Sequence, residues 1–328
     1  MIPDSPTPLD YGYDDYGAYN CSGEQMPYDW DVRYSISFIE EAVSEKKPFF
    51  INLWLHEPHT PFHVLPKFRQ MFPEIEDDAQ NIYAATLAYA DHRVGQLLDF
   101  LDEKDLANDT LVVFSSDNGP AGGGKPGRTP GMTWDPATGM GFGTGASTGT
   151  VGGRKGRKGS VYEGGLNVPF LARWPEKIKA GTTDNQSFIT AVDLLPTFCN
   201  LAGAELPVDY APDGLDYTDV LLGTPAPTRE KTIFSRYRNS VIAVSGGYKC
   251  VTKIENGAAE LYHLVEDPLE QSDVASENPE ILAGIEAEIE AWMGSLPTEP
   301  AGKVFSELRD DAEALERSKE PYQRYKKE

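Results

Sequence analysis

NIYAATLAYADHRVGQLLDFL (81–101) and TLVVFS (110–115) set a long helical pattern beside a short strand pattern. In the first, Tyr83, Leu87, Ala90, Val94, Leu97, Leu98 and Leu101 recur with the 3.6-residue period of an amphipathic helix, while Asp91, Arg93 and Asp99 fall elsewhere. The second is apolar and β-branched, as expected of a central strand. Upstream, FFINLWL (49–55) follows Pro48 and reads as another strand buried on both faces. Strand, helix and strand in this order predict an α/β fold with a largely parallel sheet.

Working outward, residues up to about Asn20 are rich in Pro, Asp, Tyr and Gly and read as irregular coil, and Tyr34 to Ser44 has helical spacing. The segment Gly119 to Gly165 holds 17 of the chain's 31 glycines. A loop of that length inside a compact domain is functional or mobile. Val168 to Arg173 reads as a strand. Thr190 to Ala202 reads as a helix with Val192, Leu194, Leu195, Phe198 and Leu201 inside. From Thr232 the segments TIFSRY, SVIAVSGG, YKCVTKI and AELYHL are short and β-type, separated by the turn signals Gly246-Gly247 and Asn256-Gly257. Pro279 to Met293 is an amphipathic helix, and the charged tail from Ser306 is expected at the surface or frayed. The division expected is an α/β domain over 1–230, a small antiparallel-sheet subdomain over 231–300 and a tail over 301–328.

Composition narrows the partners. With 40% hydrophobic and 11% aromatic residues the 328-residue chain can bury a core. Its formal charge of -23 opposes general binding to nucleic acid or to an anionic membrane surface. No apolar stretch approaches the ~20 residues of a membrane helix, so no membrane insertion is expected. The N-terminus has neither the basic nor the apolar region of a signal peptide, and the compartment stays open. Cys21, Cys199 and Cys250 are too few for a disulfide framework.

Three clusters fall where an α/β sheet places its chemistry, beyond strand ends. His56-Glu57-Pro58-His59-Thr60-Pro61 follows the first strand. Two imidazoles three residues apart donate to an anion or bind a metal, or else are surface histidines of a turn. Ser115-Ser116-Asp117-Asn118-Gly119 ends the second strand; its carboxylate and carboxamide suit Ca²⁺ or Mg²⁺, or form a plain turn. Arg154-Lys155-Gly156-Arg157-Lys158-Gly159 places four cations in five positions of an acidic chain. A solvated loop is one reading and nucleic-acid binding a weaker one. A pocket for sulfate or phosphate fits better, since glycines admit the anion and lysine supplies charge. No P-loop pattern occurs.

In this order the clusters resemble the type I, formylglycine-dependent sulfatases of the alkaline-phosphatase-like superfamily. PTPLDYGYDDY (6–16), YADHRVGQLLDFLD (89–102), NVPFLARWPEKIKAG (167–181), VDLLPTF (192–198) and ELYHLVEDPLEQSDVA (260–275) are similar to further segments of that family. The resemblance implies an alkaline-phosphatase-like α/β sandwich with N-terminal strands missing. It also implies hydrolysis of sulfate esters of a sulfated carbohydrate or an aryl alcohol. Asp117 and Asn118 match ligands of the divalent metal, usually Ca²⁺, with Mg²⁺ the second choice; His59 and Lys158 match residues that contact the sulfate. His56, Lys155 and Arg157 receive no direct role. In the family, the hydrated aldehyde of formylglycine attacks sulfur while metal and cations stabilise the transferred group.

The precursor of that aldehyde is a Cys or Ser in Cys/Ser-x-Pro-x-Arg, and neither the three cysteines nor any serine fits. Asp14-Asp15-Tyr16-Gly17 imitates the family's first Asp pair in letters, but no apolar strand precedes it. The chain therefore resembles the part downstream of the nucleophile, with an inactive fragment expected by itself. The alternative is a non-catalytic relative that binds sulfated glycan, or one subunit of a split enzyme. A phosphatase or phosphodiesterase of the superfamily fits less well, since those commonly hold two metals with additional histidines. Missing strands would also expose a sheet edge open to association. Family members are commonly periplasmic or secreted.

Overall fold

The structure, a computed structural model, describes residues 6–19, 30–59, 62, 65–121, 148–227, 229, 231–254, 257–297 and 322–326. In chain order its elements are β1 (Asp15–Tyr19), α1 (Trp30–Ser44), α2 (Pro66–Arg69), α3 (Asp78–Glu103), β2 (Val112–Ser115), α4 (Glu163–Leu166), β3 (Phe170–Arg173), α5 (Ala191–Ala202), α6 (Thr218–Leu221), β4 (Ile233–Tyr237), β5 (Ser240–Ser245), β6 (Tyr248–Lys253), β7 (Glu260–His263), α7 (Pro279–Ser295) and β8 (Tyr322–Lys326). They divide into one compact unit of Met1–Lys104, Gly122–Gly149 and Pro297–Glu328, and a second of Asp105–Ala121 and Thr150–Leu296.

In the first unit α3 runs longer at both ends than its apolar period predicts. Asp77 caps it, accepting from the Gln80 N–H at 2.8 Å. Its buried face is Ile82, Ala85, Thr86, Tyr89 and Arg93, packed in part against Phe62 and Phe68. This corrects the expected stripe, which leaves Arg93 outside and Leu87 within; Leu87 is exposed and Arg93 is 1% exposed. The cause is electrostatic. A guanidinium can be buried when carboxylates meet it, and Asp31 of α1 and Glu57 stand 2.6 and 3.3 Å from its Nη2. The helix is rolled to make that cluster.

The run 49–55 belongs to no ladder among the described residues. Its odd-numbered residues are half-buried, while Phe50 and Trp54 are 58% and 79% exposed. A strand covered on both faces is therefore corrected: the side chains alternate, and one face of the run is covered. The N-terminal segment also departs from irregular coil, for β1 pairs antiparallel with β8, Asp15 opposite Lys326 and Tyr19 opposite Tyr322. The rest of the tail from Ser306 lies outside the described residues, as do Cys21, Asn256 and most of the glycine-rich loop.

In the second unit β2 and β3 form a two-stranded antiparallel ladder, Val112 opposite Arg173, and every ladder among the described residues is antiparallel. α5 carries a capping box between Thr190 and Asp193 and ends at Gly203 with φ 68°. Its inward face is Asp193, Pro196 and Thr197, whereas Val192 and Leu195, expected inside, are 44% and 48% exposed. Asp193 sets the roll of this helix: its wholly buried carboxylate takes two hydrogen bonds from Arg229, at 2.7 and 2.9 Å, and a third from the Leu215 N–H at 2.8 Å.

The strands β4 to β7 form a continuous antiparallel sheet, and the Gly246-Gly247 turn has positive φ at both residues, as a tight hairpin requires. Period-2 alternation gives the sheet two different faces. Val241, Ala243, Cys250 and Leu261 pack with Ile285 and Ile289 of α7. Ile242, Val251 and Tyr262 pack with Val161, from the basic loop. Lys249 and Glu260 fall on this second face, Lys249 opposite Tyr262 and Glu260 opposite Val251.

Candidate functional site

Asp117 and Asn118 stand just beyond β2, Asp117 exposed and Asn118 half-buried. The Asn118 Nδ2 donates to the Gly119 carbonyl at 2.9 Å, and its Oδ1 is the atom that could ligate a cation. Gly119 then meets the basic loop: its N–H donates to Gly165 O at 2.9 Å, and the Lys158 N–H donates to Pro120 O at 3.0 Å. A Cβ on Gly119 would lie 2.0 Å from Gly164 O, so glycine is required by close approach rather than by its φ. Two motifs about forty residues apart are thus joined main chain to main chain.

The basic loop sorts its four cations. Lys155 turns inward: its Nζ donates to the Tyr262 hydroxyl at 2.6 Å and to Glu260 at 3.1 Å, and lies 4.1 Å from the Tyr162 ring centroid. Burial works against its charge, yet Tyr262 and Glu260 outweigh that and raise its pKa. Arg154 is half-buried, while Arg157 and Lys158 are exposed. Of the two lysines, Lys158 is exposed, while Lys155, a little over a third exposed, is engaged by Tyr262 and Glu260.

Below the loop sits a cluster that the sequence reading misses. Lys249 is fully buried between Glu163 and Glu270, with Nζ 2.8 Å from a carboxylate oxygen of each. The Glu163 N–H donates to the Glu270 Oε2 at 2.6 Å, and Asn167 Nδ2 donates to Glu163 at 3.0 Å. In YKCVTKI the alternation puts Lys249 on one face with Val251 and Lys253, which reads as the polar face, so only the mixed character of that face hints at a buried lysine. Arg229, the partner of Asp193, carries no comparable signal.

His59 belongs to the first unit. His59 is exposed, its ring 5.7 Å from that of buried His56, and its main-chain N–H donates to His56 O at 2.9 Å. Glu57, between them, is the carboxylate paired with Arg93. As metal donors, Asp117 and Asn118 offer a carboxylate and an amide oxygen, the hard atoms that Ca²⁺ or Mg²⁺ takes. They fit such an ion as two donors of a larger set, and no group of three or more metal-binding side chains occurs among the described residues. Formylglycine has no fitting residue: Cys199 and Cys250 are free thiols outside the required sequence context, and Cys21 lies outside the described residues.

Residues 3–204 match the family model described as Sulfatase, and residues 157–294 match one described as N-sulphoglucosamine sulphohydrolase, C-terminal. The chain is 27% identical over 252 residues to an N-acetylgalactosamine-6-O-sulfatase of Bacteroides thetaiotaomicron, covering 73% of this chain and 46% of that protein. It is 32% identical over 224 residues to arylsulfatase A of Bos taurus, covering 66% of this chain and 38% of the relative. It thus spans less than half the length of these curated relatives. The crystal structure of Ps i-CgsB superposes with a TM-score of 0.71 at 25% identity, over 87% of this chain and 67% of the other. The same protein has been solved in complex with k-i-k-neocarrahexaose, and matches at 26% identity with a TM-score of 0.71.

Proposed function

This chain belongs to the sulfatase family, with its α/β, alkaline-phosphatase-like fold, and we propose that it holds the sulfate group of a sulfated carbohydrate or aryl sulfate during ester hydrolysis. The observation that carries this reading is the pair of main-chain hydrogen bonds, Gly119 to Gly165 and Lys158 to Pro120. They fix the donors Asp117 and Asn118 relative to the loop that presents Lys158. The Lys158 ammonium neutralises the transferred group; for His59 the resemblance alone supplies a role, as a further N–H donor to sulfate. Asp117 and Asn118 hold Ca²⁺, with Mg²⁺ the second choice. The ion when bound supplies Lewis-acid polarisation and offsets charge on the sulfuryl oxygens.

The attacking group is not among this chain's residues, since no Cys/Ser-x-Pro-x-Arg occurs, and no step is assigned to it. By itself the chain then turns over no sulfate ester. The division into a catalytic α/β part over 1–230 and a sheet subdomain over 231–300 belongs to the same proposal.

The test pairs binding with turnover. Inorganic sulfate is titrated calorimetrically into the purified chain and into the variants Lys158→Ala and His59→Ala, with Ca²⁺ present, and 4-nitrophenyl sulfate is assayed in parallel. A charge-assisted hydrogen bond contributes roughly 1.5–3 kcal/mol, so Lys158→Ala should weaken sulfate about 10- to 100-fold. Sulfate affinity equal to wild type in both variants rejects the reading. Turnover by the chain alone rejects the non-catalytic part. Turnover that arises only on adding a second polypeptide bearing Cys/Ser-x-Pro-x-Arg favours the split-enzyme alternative.

A further inference from the structure

We propose that Lys249 is a positioning residue for Lys158: with Glu163 and Glu270 it locks the basic loop in the form that presents the outward ammonium. This rests on the reading of Lys158 as a sulfate-gripping group. The observations are geometric. Lys249 has no exposed surface and bridges Glu163, five residues past Lys158, to Glu270, in the segment after β7. Glu270 has φ 57°, a left-handed conformation that a glutamate seldom adopts without compensating contacts. Its carboxylate accepts from the Glu163 N–H.

The residues on either side of Glu270 clamp the start of the same loop. The Lys155 N–H donates to Leu269 O at 3.1 Å, and Gln271 Nε2 donates to Gly153 O at 3.3 Å. Lys155 O in turn accepts from Gly164 N–H at 2.7 Å. The loop is therefore tied to 269–271 at residues 153 and 155 and again at 163. Lys158 lies between these ties and hydrogen-bonds to Pro120. A buried cation between two carboxylates is a specific arrangement: with Lys249 removed, the two acids repel and the tie at Glu163 opens. A fold that needed only packing at this point would be served by an apolar side chain, as at Val251 on the same face.

The test uses Lys249→Met, the charge-free triple variant Glu163→Gln/Lys249→Met/Glu270→Gln, and Glu270→Ala, which leaves a balanced Lys249–Glu163 pair. Amide-resolved hydrogen exchange reads the Lys158 N–H, and inorganic sulfate titration reads the grip. In each variant, at a temperature where its own unfolding curve shows it fully folded, exchange at Lys158 should be at least about 10-fold faster than in wild type, against a few-fold at β5. Sulfate affinity should fall with it and be non-additive with Lys158→Ala. A structural role alone would leave the affinity of the folded variant unchanged. Unaltered Lys158 exchange, or strict additivity, overturns the proposal. If Lys158→Ala itself leaves sulfate binding unchanged while exchange accelerates, the sulfate reading fails and the loop lock stands.

Discussion

Arg93 in the first unit and Lys249 in the second are each buried against two carboxylates, and each cluster includes the glutamate of a candidate site motif, Glu57 beside His59 and Glu163 beyond Lys158. The difference lies in reach. Arg93 sits on a long helix and draws Asp31 from a second helix, so it couples a turn to a helical layer. Lys249 sits mid-strand and draws both carboxylates from loops and a one-turn helix. Each cluster thus anchors the glutamate of its own motif, through helix packing in the first unit and through loop ties in the second.

The sharpest way to break the comparison is to remove each cation. Arg93→Met and Lys249→Met both leave two buried carboxylates facing one another, and each should cost about 3–5 kcal/mol of stability, read as a lowered urea midpoint. The paired carboxylates then decide recovery. Adding Glu163→Gln and Glu270→Gln to Lys249→Met should restore most of the loss, and Asp31→Asn with Glu57→Gln should do the same for Arg93→Met. Recovery in one unit but not the other would show that the two clusters are not equivalent supports.

These clusters also mark where the sequence stops being readable. The 3.6-residue period located α3 and α5, and the alternation with Gly246-Gly247 located β4 to β7, because apolar side chains outnumber the others on those faces. The roll of both helices was misjudged for one reason: a periodicity count treats Arg93 and Asp193 as outward, while each is buried through partners distant in sequence, Asp31 and Arg229. The site shows the same split. The strings around the proposed site residues Asp117, Asn118, His59 and Lys158 can be picked out as motifs because they are local. Lys249 and Glu270 cannot, because their meaning depends on a strand and a loop that meet only in three dimensions. The pairing of β1 with β8 was hidden likewise, since its two strands are some three hundred residues apart.

A smaller effect sharpens the contrast within one sheet face. Burial pushes the Glu270 carboxyl up, more than the Lys249 ammonium pulls it down. Burial also pushes Glu260 up, but hydrogen bonds from Tyr262, Tyr162 and Lys155 more than offset it, and its pKa is lowered. The signs are opposite. The contribution of Glu270 is complete below the ordinary glutamate value and is lost as pH rises through its folded pKa. That of Glu260 is present above the ordinary value and is lost as pH falls through its folded pKa. Urea midpoints between about pH 4 and about pH 7 should show wild type losing ground to Glu270→Gln as pH rises, and gaining on Glu260→Gln. Parallel profiles for the two variants would contradict this assignment.

The smallest effect concerns the other side of the same strand. Cys250 follows Lys249 directly and points into the core formed with α7, where burial first, and then Glu286 and Asp273, push its thiol up to about 12. At about pH 8 the thiolate is then on the order of one part in ten thousand, and the thiol has no route to a reagent while α7 is docked. Cys199, on α5, is half-buried. Alkylation followed by peptide mass spectrometry should modify Cys199 in the native protein and Cys250 only as urea unfolds the second unit. Lys249→Met should advance Cys250 labelling to lower urea, because the ion face and the apolar face share one strand and open together. Native labelling of Cys250 at the rate of Cys199 would mean that α7 does not seal this face. Labelling unmoved by Lys249→Met would mean that the two faces of β6 fail independently.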